Sequence, residues 1–269
     1  MRNLGIPFLV LALLFSSASF SQEEKKAEVA AAFLGDAELL KILDEAITDV
    51  EKAAGIKFKT KPAIKSVGIS ELYKTSVEEL SELIQVAYPD ESPKNITRVV
   101  KQQLTGAAFL VGKYAIKTHT IMVNTEAFRM LPFIMERQDL FSRKILKGYI
   151  VHETVHALDE DAYSAFSRRG EHLKKGVQLD ALSALNEGHA QAVTKRAIAD
   201  ALTFLDIEEA MLGDSLTAPK YGVNSINEMV KLLYYEGRLF WEAVGDHQVA
   251  DIFGAPPKSV NIIRDPKKY

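Results

Sequence analysis

The sequence predicts an α+β fold dominated by helices, with a small sheet packed against the helix that carries His152 and His156. Apolar residues recur at helical spacing over several long stretches. Only two stretches, 56–68 and 106–128, are rich in β-branched residues, glycine and alternation. The chain has 269 residues, 47% of them hydrophobic, enough for one sizeable core or two closely packed lobes.

Residues 1–21 have the pattern of an export signal. Arg2 precedes an apolar run from Ile6 to Phe15, and small residues follow, with Ser19 and Ser21 at the recognition positions for cleavage after Ser21. The run is shorter than the roughly 20 apolar residues that span a bilayer. Cleavage predicts an exported protein, periplasmic or secreted, with no integral membrane segment left. No Cys follows the run, which excludes a lipid anchor.

Residues 22–35 are polar, then alanine-rich, and are expected to be flexible. Asp36–Ala54 places Leu39, Leu40, Leu43, Ile47 and Val50 at helical spacing, and Gly55 closes the helix. Stretch 56–68 alternates and contains Pro62, so it reads as a strand or hairpin at a sheet edge. Thr75–Tyr88 reads as a helix with Ser76 at its N-cap, followed by a loop over 88–95 and a helix over Ile96–Leu104. Stretch 106–128 reads as one or two strands ending near Asn124, with "THTIMVN" alternating.

Leu140–Leu158 returns to helix. Residues 161–178 read as a loop with a helical piece, Leu179–Phe204 and Asn224–Val244 as long helices, and 249–269, with Pro256, Pro257 and Pro266, as an irregular wrap. Residues 36–269 form one domain in this reading, with 36–137 as a candidate N-terminal lobe. No composition break marks a boundary.

Composition narrows the function classes. The net charge is −3 and the pI about 6.1, and no Lys/Arg cluster offers a phosphate-binding patch, so nucleic acid is not an expected partner. The chain has no Cys, which excludes thiol catalysis, disulfides and Cys-ligated zinc. Any metal must be held by His, Asp or Glu.

The stretch "GYIVHETVHAL" carries the chemistry. Residues four apart share a helix face, so His152 and His156 can direct their rings at one ion. Glu153 stands about 100° round the axis, which suits a base that takes a proton from water without being a ligand. The alternative is a pair of histidines making ordinary hydrogen bonds. Against it, two histidines and a glutamate in an apolar segment need partners, and one metal ion satisfies all three together.

A catalytic zinc takes three protein ligands and an open position. The long-spaced signature, with a glycine and a third ligand shortly after the second histidine, fails here. Asp159 stands at the glycine position and Ala162 at the ligand position. The third ligand is therefore expected from a second helix, in "LDALSALNEGHAQAV". Glu187 is the candidate, with Gly188 allowing close approach and Asp180, seven residues earlier on the same face, placed to receive a ligand histidine's second N–H. His189 competes but points to a different side. Tyr234, His247 and His189 are candidates to stabilise the transition state. Thr120, Ile121, Met122, Val123 and Asn124 are candidates for an edge strand along which an extended peptide lies.

With these residues placed, "VHETVHALDED" followed by "LDALSALNEGHAQAV" resembles the glutamate-zincin (gluzincin) metallopeptidases. Within them the chain is most similar to a family of bacterial and archaeal metalloproteases of inferred function. "YYEGRLFWEAV" resembles that family's Tyr-x-x-Gly-x-x-Phe helix, "APPKSVNIIRDPKKY" its tail, and "VEKAAGIKFKTKPAIKSVGISEL" its opening segment. The resemblance implies a zincin-like fold, one Zn2+ held by His152, His156 and Glu187, Glu153 as base, and a peptide or protein substrate. Two departures, "DEDAYSAFSRRGEH" after the motif and His189 after Glu-Gly, fall where a substrate cleft would be lined. Two other functions use the same residues: a catalytically inactive binding or envelope-assembly protein of this fold, and a hydrolase of a non-peptide amide.

Overall fold

The computed structural model describes residues 34–104, 110–212 and 225–269. The stretch 1–21, expected from the sequence to be an export signal, nearly all of 22–35 and the start of the second β-rich stretch lie outside the described residues. Among the described residues helices dominate, and three strands form a small mixed sheet. This is the α+β architecture expected from the sequence. No described helix is long and apolar enough to cross a membrane.

Helix α1 (Asp36–Ala54) has the expected bounds, and Gly55 ends it in the left-handed conformation at φ 72°. Its buried face is Leu39, Ile42, Leu43, Ala46, Ile47 and Val50, whereas Leu40, expected inside, is 53% exposed. Strand β1 (Ala63–Val67) follows, then α2 (Ile69–Ala87), which begins six residues before the expected Thr75. Ser76 is therefore buried inside this helix, and Gly68 occupies the N-cap position. Helix α3 (Pro93–Gln103) also starts early. Pro93 suits a first turn, and the Ser92 side chain accepts the Asn95 N–H.

Strands β2 (Gly112–Ala115) and β3 (Thr120–Asn124) are joined by a tight turn with His119 in the left-handed region at φ 48°. The order is β1-β3-β2, with β1 parallel and β2 antiparallel to β3. The edge position expected for the first β-rich stretch is occupied by β1. The expectation for Thr120–Asn124 is corrected: β3 is the central strand, hydrogen-bonded on both sides and buried at all five residues. Ile121 and Val123 enter the main core, while Met122 packs with Val67, Leu72 and Ala115 on the other face. An alternating pattern marks an exposed face only when one side of the sheet meets water, and here both sides are covered.

Asn124 caps α4 (Thr125–Ile134), its side chain accepting from the Ala127 N–H at 3.0 Å. Next come α5 (Arg143–Tyr163), α6 (Arg169–Lys174) and α7 (Leu179–Ala197). The helix expected over Leu179–Phe204 breaks at Ile198, which is extended. Asp200 then caps α8 (Ala201–Leu212) by accepting from the Leu202 N–H and the Thr203 hydroxyl. After α9 (Ser225–Val230), a π-helical segment at Lys231–Glu236 leads into α10 (Gly237–Val244). The tail is more helical than expected, with α11 (Val249–Gly254) and α12 (Val260–Arg264). It is tied back where the Gln178 N–H donates to the Lys258 carbonyl at 3.0 Å, just before α7.

Helices α5 and α7 are buried almost all round, since α1, the sheet, α8 and α10 cover them. One core cluster joins α1, β2, β3 and α5, and a second joins α7, α10, α11 and α12. Between α7 and α10 the backbones nearly touch. A Cβ on Gly188 would stand 2.2 Å from the Gly237 carbonyl carbon, and one on Gly237 would stand 2.3 Å from the Ala184 oxygen. Gly188→Ala is therefore expected to force these elements apart and lose about 1–3 kcal/mol or more of stability. Denaturant unfolding of the variant against the wild type reads this directly.

Candidate metal centre

Helix α5 exposes His152 and His156 to one side because they are four residues apart. Helix α7 packs antiparallel beside it and brings Glu187 to the same point. Glu187 Oε2 lies 3.2 Å from His152 Nε2 and 3.3 Å from His156 Nε2. One donor atom from each of the three residues lies within 4.8 Å of the others. Ligands about 2 Å from a tetrahedral centre stand roughly 3.3 Å apart, so the two shorter separations fit one ion. The donor set is nitrogen, nitrogen and carboxylate oxygen. The three side chains can hold a metal ion, and they are the only such group of His, Cys, Asp or Glu among the described residues.

Electrostatics point the same way. Burial pushes the Glu187 carboxyl up, but the facing histidines overcome that and hold it well below its ordinary value. Burial would likewise lower His156, and the Glu187 charge reverses the shift. The trio is a strongly coupled cluster of negative charge and nitrogen lone pairs, the environment in which a cation is stabilised.

His152 Nδ1 sits 3.1 Å from Gln191 Oε1, an arrangement that keeps the proton on Nδ1 and frees Nε2 for the ion. Asp180 was expected in this role and is corrected. No hydrogen bond joins it to either histidine among the described residues, and burial raises its pKa. Seven residues before Glu187 is the same helix face but about 10 Å along the axis, beyond reach of a ligand ring. Gln191, four residues after Glu187, is on that face and one turn away. Gln191→Ala is expected to weaken metal binding on the order of 10- to 100-fold, measured by competition with a chelator.

The acids that follow the motif are engaged elsewhere. Asp159 meets His189 Nδ1 at 2.9 Å, Glu160 accepts from the Phe166 and Ser167 amides, and Asp161 accepts from the Lys59 and Thr60 amides. His189 packs against Trp241, with ring centroids 4.5 Å apart, and is not at the metal point. His247 is exposed on a short turn beside Gln248 and does not line the cleft.

Tyr234 does belong to the site. The π-helical segment turns it toward the cluster, and its ring lies 6.0 Å from that of His152. Burial raises its pKa well above the ordinary value, and the charges of Glu187 and Glu153 add to the effect. It is therefore a neutral hydroxyl donor at every physiological pH.

A cleft of about 380 Å³ opens beside the cluster. Glu153, His156, Glu187 and Tyr234 line one part, and the outer edge of β2 forms a wall. Glu153 Oε2 accepts the Tyr114 N–H at 2.7 Å, which ties the carboxylate to β2. Sequence reasoning missed Gln191, Tyr114 and Arg169, which also lines the cleft. The first was legible as a polar residue one turn from Glu187, while the other two depend on the tertiary fold.

No protein-family model matches the chain, and no curated protein matches it. Its fold is shared with a solved structure described as "a putative hydrolase with a novel fold" from Chloroflexus aurantiacus. That protein is 16% identical, with 93% of this chain and 91% of that chain covered at a TM-score of 0.57.

Proposed function

We propose that this protein is an exported zinc-dependent peptidase of the glutamate-zincin type, acting in the periplasm or outside the cell. The observation that carries the reading is the convergence of His152, His156 and Glu187 beside a cleft that His156, Glu187 and Glu153 line. The shared fold with a protein described as "a putative hydrolase" supports the reaction class. The sequence resemblance supports the peptide substrate.

His152, His156 and Glu187 would hold the ion, and His152 is kept in the right tautomer by Gln191. Zinc, when bound, supplies a Lewis acid that polarises a carbonyl and makes water more acidic. Glu153 takes the proton of the attacking water and delivers it to the leaving amine as the C–N bond breaks. With Oε2 held by the Tyr114 amide, its other oxygen is the one free for this transfer. Tyr234, protonated and facing the cluster, donates a hydrogen bond to the oxygen that gains charge on the attacked carbon.

The substrate strand is β2, not β3, because among the described residues no strand pairs with the edge of β2 that faces the cleft. Its Tyr114 and Ile116 amides are taken by Glu153 and Glu79, which leaves outward carbonyls and the Gly112 amide for an extended chain. This edge favours a peptide over a non-peptide amide. The test is metal analysis of the purified mature protein together with digestion of an unbiased peptide library. One zinc per chain and defined cleavage are expected. Bound metal without cleavage across a broad library would move the assignment to a binding protein.

A further inference from the structure

The cleft holds a cation that the hydrolytic residues do not use. Of its basic side chains, Lys113 is paired with Glu79 at 2.7 Å and Lys117 with Glu82. Arg169, from the start of α6, forms no ion pair among the described residues. Its guanidinium is nevertheless held in place. It lies 4.3 Å over the Phe166 ring, and with the Asn186 amide turned so that its oxygen faces it, Nη2 and Nε donate at 2.6 and 2.9 Å. An arginine has five N–H donors, so at least three remain for a ligand.

Its position relates to the proposed chemistry. Phe166 touches both Arg169 and His156, whose ring centroid is 5.3 Å from that of Phe166. The two contacts together bound the Arg169–His156 separation to under about 10 Å, the span of about three residues of extended peptide. Asn186, which anchors the guanidinium, is next in sequence to Glu187.

We infer that Arg169 is the specificity determinant of this site and binds a carboxylate of the peptide substrate, either the free C-terminal carboxylate or an acidic side chain close to the scissile bond. This rests on the peptidase reading for the identity of the substrate, but not for the binding of the carboxylate. A partly buried charge with no acid paired directly to it is costly, and an anion arriving with the substrate lowers that cost. The planar fork matches a carboxylate in two parallel hydrogen bonds. Burial lowers the guanidinium's pKa to about 10 against the pull of Glu187, Glu79 and Glu160, so it remains charged at neutral pH. Fixed by an amide and an aromatic face instead of an acid, the group is pre-organised to receive an anion.

The experiment measures binding without cleavage. Zinc-loaded Glu153→Gln protein is titrated by calorimetry with N-acetyl-trialanine as the free acid, as the C-terminal amide, and as the amide with aspartate replacing the final alanine. At least one carboxylate-bearing ligand is expected to bind about 10- to 100-fold more tightly than the plain amide. Preference for the free acid identifies the terminal carboxylate, and preference for the aspartyl amide identifies the side chain.

Added to this protein, Arg169→Met should abolish the preference and leave the affinity for the plain amide unchanged. Arg169→Lys, which keeps the charge and loses the fork, should retain part of it and serves if the methionine variant does not fold. Equal binding of all three ligands, or absence of binding, overturns the proposal. So does a preference that survives Arg169→Met, since the metal would then hold the carboxylate, or an equal loss for every ligand, which marks Arg169 as structural. Carboxylate selectivity through Arg169 without cleavage by the wild type would sink the peptidase reading alone. Cleavage without that selectivity would sink this inference alone.

Discussion

Glu153→Gln is expected to keep the fold and the metal while losing turnover on the order of 10²–10⁴-fold, the usual weight of general acid–base catalysis. The substitution preserves size and replaces one carboxylate oxygen by an amide nitrogen. An amide oxygen still accepts the Tyr114 N–H, so the side chain keeps its anchor on β2. What is lost is the ability to take a proton at the second oxygen. Glu153 is not among the three residues that converge to form the candidate metal centre, so metal content should not change. The measurement is peptide hydrolysis by metal-replete wild type and variant side by side, with zinc content read on the same samples. Full cleavage by the variant would remove Glu153 from the mechanism.

The centre was legible in the sequence because helical periodicity alone determines which residues share a face. His152 and His156 needed only a four-residue spacing, and Glu187 needed only a second helix passing the first. The supporting residues were harder to read because their roles depend on distance along an axis and on tertiary neighbours. Asp180 has the right face at the wrong height, and Gln191 has both. The sheet shows the same division. β-Branched residues, glycines and the alternation of "THTIMVN" mark one or two strands ending near Asn124, but strand order is set by how the intervening helices pack. The strand with the clearest pattern therefore proved to be the central one. The acidic run after the motif misleads in the other direction, since all three of its carboxylates satisfy groups away from the metal point.

Glu187→Ala is expected to strip the protein of its metal, and His152→Ala to do the same. Each removes one of three ligands, and two protein ligands hold zinc poorly. Affinity should fall by more than the roughly 10- to 100-fold typical of losing a supporting hydrogen bond. The Glu187 variant is the more informative, because its carboxylate comes from α7, while both histidines come from α5. Loss of metal from it therefore tests the helix pairing as well as the ligand set. Asp161→Ala and His189→Asn are the controls. Asp161 holds the Lys59 and Thr60 amides, and His189 meets Asp159 in the second core cluster, so neither change should alter metal stoichiometry. Elemental analysis after dialysis against a weak chelator separates the outcomes. Unchanged zinc in Glu187→Ala, together with loss in either control, would transfer the third-ligand role to that residue. In the expected outcome the wild type and both controls should show a rise in melting temperature on adding zinc, since an ion that binds only the folded state stabilises it by mass action. The Glu187 variant, with its two buried histidines facing an empty position, should show no such rise.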